Sequence, residues 1–177
     1  MLLRLSSSLR AHGSIKIIFL SYAGLILVVI SMKNFMDLAL KIAMKADPFP
    51  NPRVGAVLVK GGEVIGVGYH KQAGLPHAEI EAIQNAKLNS SDPKIVEGAT
   101  LYVTLEPCSH TNKRTPPCTG AIIANKIKRV VFAMSDPNPL VNGAEELRSA
   151  GIEVTGPTDE KKAASINKPY FANFSKT

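Results

Sequence analysis

The sequence predicts an α/β fold: a three-layer α/β/α sandwich around one central mixed sheet of about five strands. Short apolar runs of strand length alternate with segments of helical periodicity from Asn34 onward. Strands that alternate with helices pack as helices against a sheet. The first two apolar runs are separated only by a short turn around Gly61-Gly62. That is a hairpin signature, and it makes the sheet mixed rather than purely parallel.

Each element follows in order. Phe35, Leu38, Ala39, Ile42 and Ala43 recur at helical spacing, so residues 34–45 form the first helix. Asp47-Pro48-Phe49-Pro50-Asn51-Pro52 cannot extend it, because three prolines fix φ and remove donors. Residues 54–59 are a short apolar strand, and residues 64–69 are its hairpin partner. A helix over 77–87 and a polar loop over 88–98, with Ser90-Ser91-Asp92-Pro93, come next. Residues 100–105 alternate like a strand, 106–116 are irregular, and 117–125 are helical. Residues 129–134 read as a buried strand, 145–150 as a helix ended by Gly151, and 152–155 as the last strand. No internal repeat is present. In such sheets active sites lie where strand ends meet helix N-termini.

The 177 residues suit one ordinary domain. A hydrophobic share of 45% with 20% charged residues excludes a disordered or collagen-like chain. Two cysteines cannot build a disulfide-rich scaffold. Trp is absent and aromatics total 6%, so stacking platforms for single-stranded nucleic acid are sparse. The net charge is +7, but Arg4, Arg10 and Lys16 lie in the first 31 residues, which hold no acid. The remainder carries 18 bases and 14 acids, a net of +4, too mild to argue for nucleic acid as a partner.

Residues 1–31 differ from the rest. They contain six serines, and residues 17–30 are nearly all apolar, interrupted by Ser21, Tyr22 and Gly24. A spanning helix needs ~20 apolar residues, so a membrane is not the expected partner. Three readings stay open for this segment: an anchor or signal region, a transit-type leader poor in acids, or sequence upstream of a start at Met32. The expected location is cytoplasmic, or an organelle if the segment is a transit peptide. Residues 32–177 form the expected functional domain.

Three residues are candidate metal ligands. His77 opens a helix after Pro76, Cys108 follows Pro107 just after a strand, and Cys118 follows Pro117 at the next helix start. One imidazole and two thiolates suit Zn²⁺ and leave a fourth tetrahedral position open, as in catalytic sites. Helix N-termini carry a positive dipole end, which lowers a thiol pKa. A bound zinc lowers the pKa of its water to ~7. Glu79, two residues after His77, falls beside the open position and is the candidate proton carrier. Taken singly, each residue has a plain alternative: a buried cysteine as a small core residue, the two cysteines as a disulfide, the histidine as structural. Jointly, His-x-Glu, Pro-Cys and Pro-Cys form the signature of the zinc nucleobase deaminases.

A closer resemblance rests on longer stretches. These are Asn51-Pro52-Arg53-Val54-Gly55-Ala56, Gly68-Tyr69-His70, His77-Ala78-Glu79, Leu105-Glu106-Pro107-Cys108-Ser109-His110, Arg114-Thr115-Pro116-Pro117-Cys118 and Asp136-Pro137-Asn138-Pro139. Together they resemble the deaminase domain of the bifunctional riboflavin-biosynthesis deaminase–reductases, within the cytidine deaminase-like superfamily. The likeness covers roughly residues 34–170. It implies a cytidine deaminase-like fold. It also implies hydrolytic loss of the ring 2-amino group, as ammonia, from a diamino-hydroxy-pyrimidine bearing a phosphoribosylamino group. Zinc would be held by His77, Cys108 and Cys118, with Glu79 moving protons. Substrate contacts would fall on Asn51, His70, Arg114, Asp136 and Asn138. Asn51 could instead cap a turn, and Asp136 with Asn138 could be Asx-turn residues.

The chain departs from the family pattern in two places. The stretch between Cys108 and Cys118 is one residue longer and carries Asn112-Lys113, and Asn142-Gly143-Ala144 replaces a longer Gly-rich turn. The likeness runs on through Asn167-Lys168-Pro169-Tyr170-Phe171, where the family proceeds into an NADPH-dependent reductase domain. The expectation is therefore a stand-alone or truncated deaminase, a homo-oligomer, with a small-molecule pyrimidine ribose-phosphate as substrate and a separate reductase in the pathway. Two rivals remain. A deaminase of cytosine, guanine or a tRNA base would share the ligands but carry Cys-x-x-Cys. A zinc-stabilised binding module would need four protein ligands and no free acid.

Overall fold

The computed structural model describes residues 35–110 and 115–172. The predicted segment 1–31 and Arg114 lie outside the described residues. The described chain belongs to one compact unit that begins at Phe35. Helix α1 spans Phe35–Ala43 and buries Met36, Ala39, Leu40, Ile42 and Ala43; of the predicted stripe, Ala39, Ile42 and Ala43 are buried, while Phe35 and Leu38 pack at the margin. Strands β1 (Gly55–Lys60) and β2 (Glu63–Tyr69) form the predicted antiparallel hairpin. Gly61 and Gly62 turn it with φ of 59° and 87°, left-handed values that favour glycine. Then come α2 (Ala78–Leu88), β3 (Thr100–Val103), α3 (Cys118–Ala124), β4 (Arg129–Phe132), α4 (Gly143–Ser149) and β5 (Glu153–Thr155).

The sheet order is β2-β1-β3-β4-β5. β1 pairs antiparallel with β2 and β3, while β3, β4 and β5 run parallel, so the sheet is mixed and five-stranded. Side chains alternate across it. Ala56, Leu58, Leu101, Val103, Val130 and Phe132 face one core with Ala78, Ala82 and Ile83 of α2, Ile122 of α3 and Leu147 of α4. Val57 and Val59, with Tyr102 and Val131 at its margin, face a second core with Met36, Ala39, Leu40 and Ile42 of α1 and Ala163. Three layers result, with β1 buried on both faces except at Lys60.

The ends of several elements differ from expectation. β3 stops at Val103, because Thr104 turns to Gly55: its amide donates to the Gly55 carbonyl and its hydroxyl accepts from the Gly55 amide. α4 starts at Gly143 rather than Glu145, since the Glu106 carboxylate accepts the Ala144 amide at 2.9 Å and holds the first turn. Two short helices were not anticipated, α5 (Glu160–Ser165) and α6 (Lys168–Phe171). No helix among the described residues is long and apolar enough to cross a membrane.

Candidate active site

The site forms where β3 and β4 end and α2 and α3 begin. α2 approaches β2 closely because Gly66 and Gly68 face Ala78, Ala82 and Ala86. A Cβ on Gly68 would collide with the Ala78 carbonyl and the Ala82 amide. This contact sets the height of His77, which lies at the N-cap of α2, and of Glu79 in its first turn. Cys108 leaves β3 on a loop tied down by Glu106, whose amide donates to the Met134 carbonyl and whose carboxylate holds α4. Cys118 is the first residue of α3.

These elements bring three donors together. The donor atoms of His77, Cys108 and Cys118 all lie within 4.8 Å of one another. His77 Nδ1 is 3.5 Å from Cys108 Sγ and 3.3 Å from Cys118 Sγ. His77 Nε2 instead faces the Thr115 hydroxyl at 3.4 Å. The Cys118 amide donates to Cys108 Sγ at 3.4 Å, a bond that favours the thiolate. Both cysteines are buried and no disulfide joins them, so the structure does not support the disulfide alternative.

Glu79 is 3% exposed. Burial pushes its carboxyl above the ordinary range, and the neighbouring Cys108 adds to this. His77, a backbone bond and a hydrogen bond to Cys118 act in the opposite direction. A cavity of about 570 Å³ opens over the cluster, lined by Glu79, His77 and Cys108. That volume suits a nucleotide-sized ligand.

Asn51, His70, Asp136 and Asn138 line the same cavity, so the structure places four of the five predicted substrate contacts around it. His70 Nδ1 lies 3.1 Å from the Pro76 carbonyl, which only accepts, so Nδ1 carries a hydrogen. A neutral ring then accepts the Asn51 amide at Nε2, 2.9 Å away. This directs Asn51 Oδ1 away from His70 and leaves it available to a ligand. Asp136 Oδ1 accepts the Asn138 amide and Asn138 Oδ1 accepts the Leu140 amide, the Asx-turn bonds weighed as an alternative. Both residues thus hold a turn and line the cavity. Burial pushes the Asp136 carboxyl up, while the Asn138 amide and the Tyr170 hydroxyl oppose it.

Residues 30–134 match the cytidine and deoxycytidylate deaminase zinc-binding region. The chain belongs to this deaminase family. Among its relatives, the riboflavin biosynthesis protein RibD of Aquifex aeolicus is 52% identical over 143 residues, 78% of this chain and 38% of that protein. The chloroplastic riboflavin biosynthesis protein PYRD of Zea mays is 45% identical over 141 residues, 78% of this chain and 34% of that protein. The solved diaminohydroxyphosphoribosylaminopyrimidine deaminase/5-amino-6-(5-phosphoribosylamino)uracil reductase of Thermotoga maritima superposes with a TM-score of 0.75 at 42% identity. That match covers 82% of this chain and 41% of that one. The chain therefore spans about two fifths or less of the length of the relatives it matches.

The donor set of the chain fits zinc. Tetrahedral angles with Zn–S near 2.3 Å and Zn–N near 2.1 Å place N and S about 3.6 Å apart. The measured separations of 3.3 and 3.5 Å lie close to that value. Two residues of the cavity were missed in the sequence. Thr115 meets the far nitrogen of His77, and Tyr170 donates to Asp136. Both stand within the quoted stretches of resemblance, but nothing in their spacing marked them out.

Proposed function

We propose that this chain deaminates 2,5-diamino-6-(5-phosphoribosylamino)pyrimidin-4(3H)-one, exchanging the ring 2-amino group for oxygen and releasing ammonia, in riboflavin biosynthesis. One observation carries the deaminase reading: a buried acid, Glu79, shares a cavity with a cluster of three metal donors among the described residues. A structural zinc site is closed by four protein ligands and has no use for such an acid. The names of the relatives, at 42–52% identity over about four fifths of this chain for the bacterial proteins, support the choice of pyrimidine.

In this reading His77 Nδ1, Cys108 Sγ and Cys118 Sγ hold zinc, and residues 32–177 are the deaminase domain. When bound, zinc supplies an acidified water for attack on the ring carbon. Glu79 accepts a proton from the attacking water and passes it to the ring nitrogen. It then takes the remaining proton from the newly added hydroxyl and gives it to the departing amine, so that the carbonyl forms as the C–N bond breaks, since ammonia leaves poorly otherwise. Burial supports this role by narrowing the energy gap between the two protonation states of the carboxyl. Asn51, Asp136 and Asn138 orient the pyrimidine, His70 sets the Asn51 amide, and Arg114 binds the phosphate. Reduction of the product belongs to a reductase activity outside the matched residues.

Ammonia release from the pyrimidine phosphate, with cytidine and guanine as controls, tests the proposal. Turnover of the pyrimidine phosphate alone is expected. Turnover of cytidine or guanine in its place would reassign the substrate.

A further inference from the structure

The short C-terminal helices take no part in the chemistry assigned above, yet they reach two walls of the cavity. Asn167 sits between α5 and α6, is 3% exposed, and makes no side-chain cap bond to the helix it precedes. Its amide pairs instead with the backbone of Arg53, 114 residues away. The Arg53 amide donates to Asn167 Oδ1 at 2.7 Å, and Asn167 Nδ2 donates to the Arg53 carbonyl at 3.0 Å. The pair copies one rung of a β ladder, and a side chain needs both a donor and an acceptor to make it. The Arg53 guanidinium also meets Asp47 at 3.2 Å. The residues it fastens, Pro50, Asn51 and Pro52, line the cavity.

One turn further on, Tyr170 lines the cavity directly. Its hydroxyl donates to Asp136 Oδ1 at 3.4 Å, the same oxygen that accepts the Asn138 amide. The second carboxylate oxygen is thereby aimed by two donors on the first. Burial and the Asp136 carboxylate push the phenol well above its ordinary range, so it remains a donor at working pH.

We propose that Asn167 and Tyr170 are positioning residues of the deaminase cavity, Asn167 through the loop that carries Asn51 and Tyr170 through the Asp136 carboxyl. The inference rests on the substrate contacts proposed above. It adds that the segment after β5 is part of the site rather than a tether.

Two variants test it. Tyr170→Phe keeps the ring and removes one hydroxyl. The pyrimidine KM should rise about three- to tenfold with kcat within about twofold, the scale of one lost hydrogen bond. Zinc content should not change. In an Asp136→Ala background the same change should have little further effect, because the accepting oxygen has gone. Asn167→Ala should speed hydrogen exchange of the Arg53 amide while the β1 and β3 amides keep their protection, a readout that needs no substrate. An unchanged KM in Tyr170→Phe, effects that add with Asp136→Ala, or an unaltered Arg53 amide would overturn the proposal. A wild-type protein inactive on the pyrimidine would refute the substrate assignment, while Arg53 exchange would still decide the role of Asn167.

Discussion

His77 Nδ1 lies 3.3 and 3.5 Å from two cysteine sulfurs, so each donor is one corner of a three-point cage. His77→Ala or Cys108→Ala should lose metal and turnover together, read by elemental analysis beside ammonia release. His70 makes a separate contribution. Its ring packs edge-on to His77 with centroids 5.1 Å apart and binds Asn51 and Pro76. His70→Phe keeps that ring contact but strands the Asn51 amide. We expect kcat/KM to fall about tenfold with zinc retained, the scale of an unsatisfied polar group. A loss of zinc in this variant would show that His70 supports the cage instead. At this scale the sequence was legible where chemistry demands a residue type, as with His-x-Glu and the two Pro-Cys pairs. Which nitrogen of His77 meets the sulfurs was not legible, because it depends on Thr115 lying behind the ring. The Asn51–His70 bond was also hidden, since those residues meet only after the hairpin closes between them.

Among the elements, α2 matters most to the site. Ala78, Ala82 and Ala86 recur every four residues and rest on Gly66 and Gly68 of β2. Gly68→Ala would drive a methyl into the backbone of α2 and displace the helix that starts with His77 and Glu79. Overpacking of this kind costs about 1–3 kcal/mol, so the denaturant midpoint should fall without a change in m-value. The turnover number should fall with it. If stability dropped while turnover stayed normal, α2 would not be setting the site. The hairpin and the first four helices were legible because apolar periodicity and Gly-Gly or proline punctuation agreed there. α5 and α6 were not, for reasons of size and polarity. α5 is six residues and buries only Ala163, and α6 is four residues and buries none. Neither shows a stripe, and Asn167 is fixed by a partner 114 residues away.

For the whole molecule, the order β2-β1-β3-β4-β5 brings the start of β1 and the ends of β2, β3 and β4 to one edge of the sheet. Alternation of strands and helices predicted the layers, but the strand order follows from packing against both cores. The metal cage joins α2, α3 and the loop after β3, so a ligand there stabilises the folded state as a whole. Zinc at a hundredfold excess over its Kd adds about 2.7 kcal/mol. Chelation should therefore lower the melting temperature by about 5 to 10 °C, and zinc should restore it. The central claim is that Glu79 moves protons beside the metal without holding it. Zinc stoichiometry measured beside turnover for Glu79→Gln tests this most directly. The account predicts about one zinc per chain with turnover reduced ~10²–10⁴-fold. Near-normal turnover, or loss of the zinc, would contradict it.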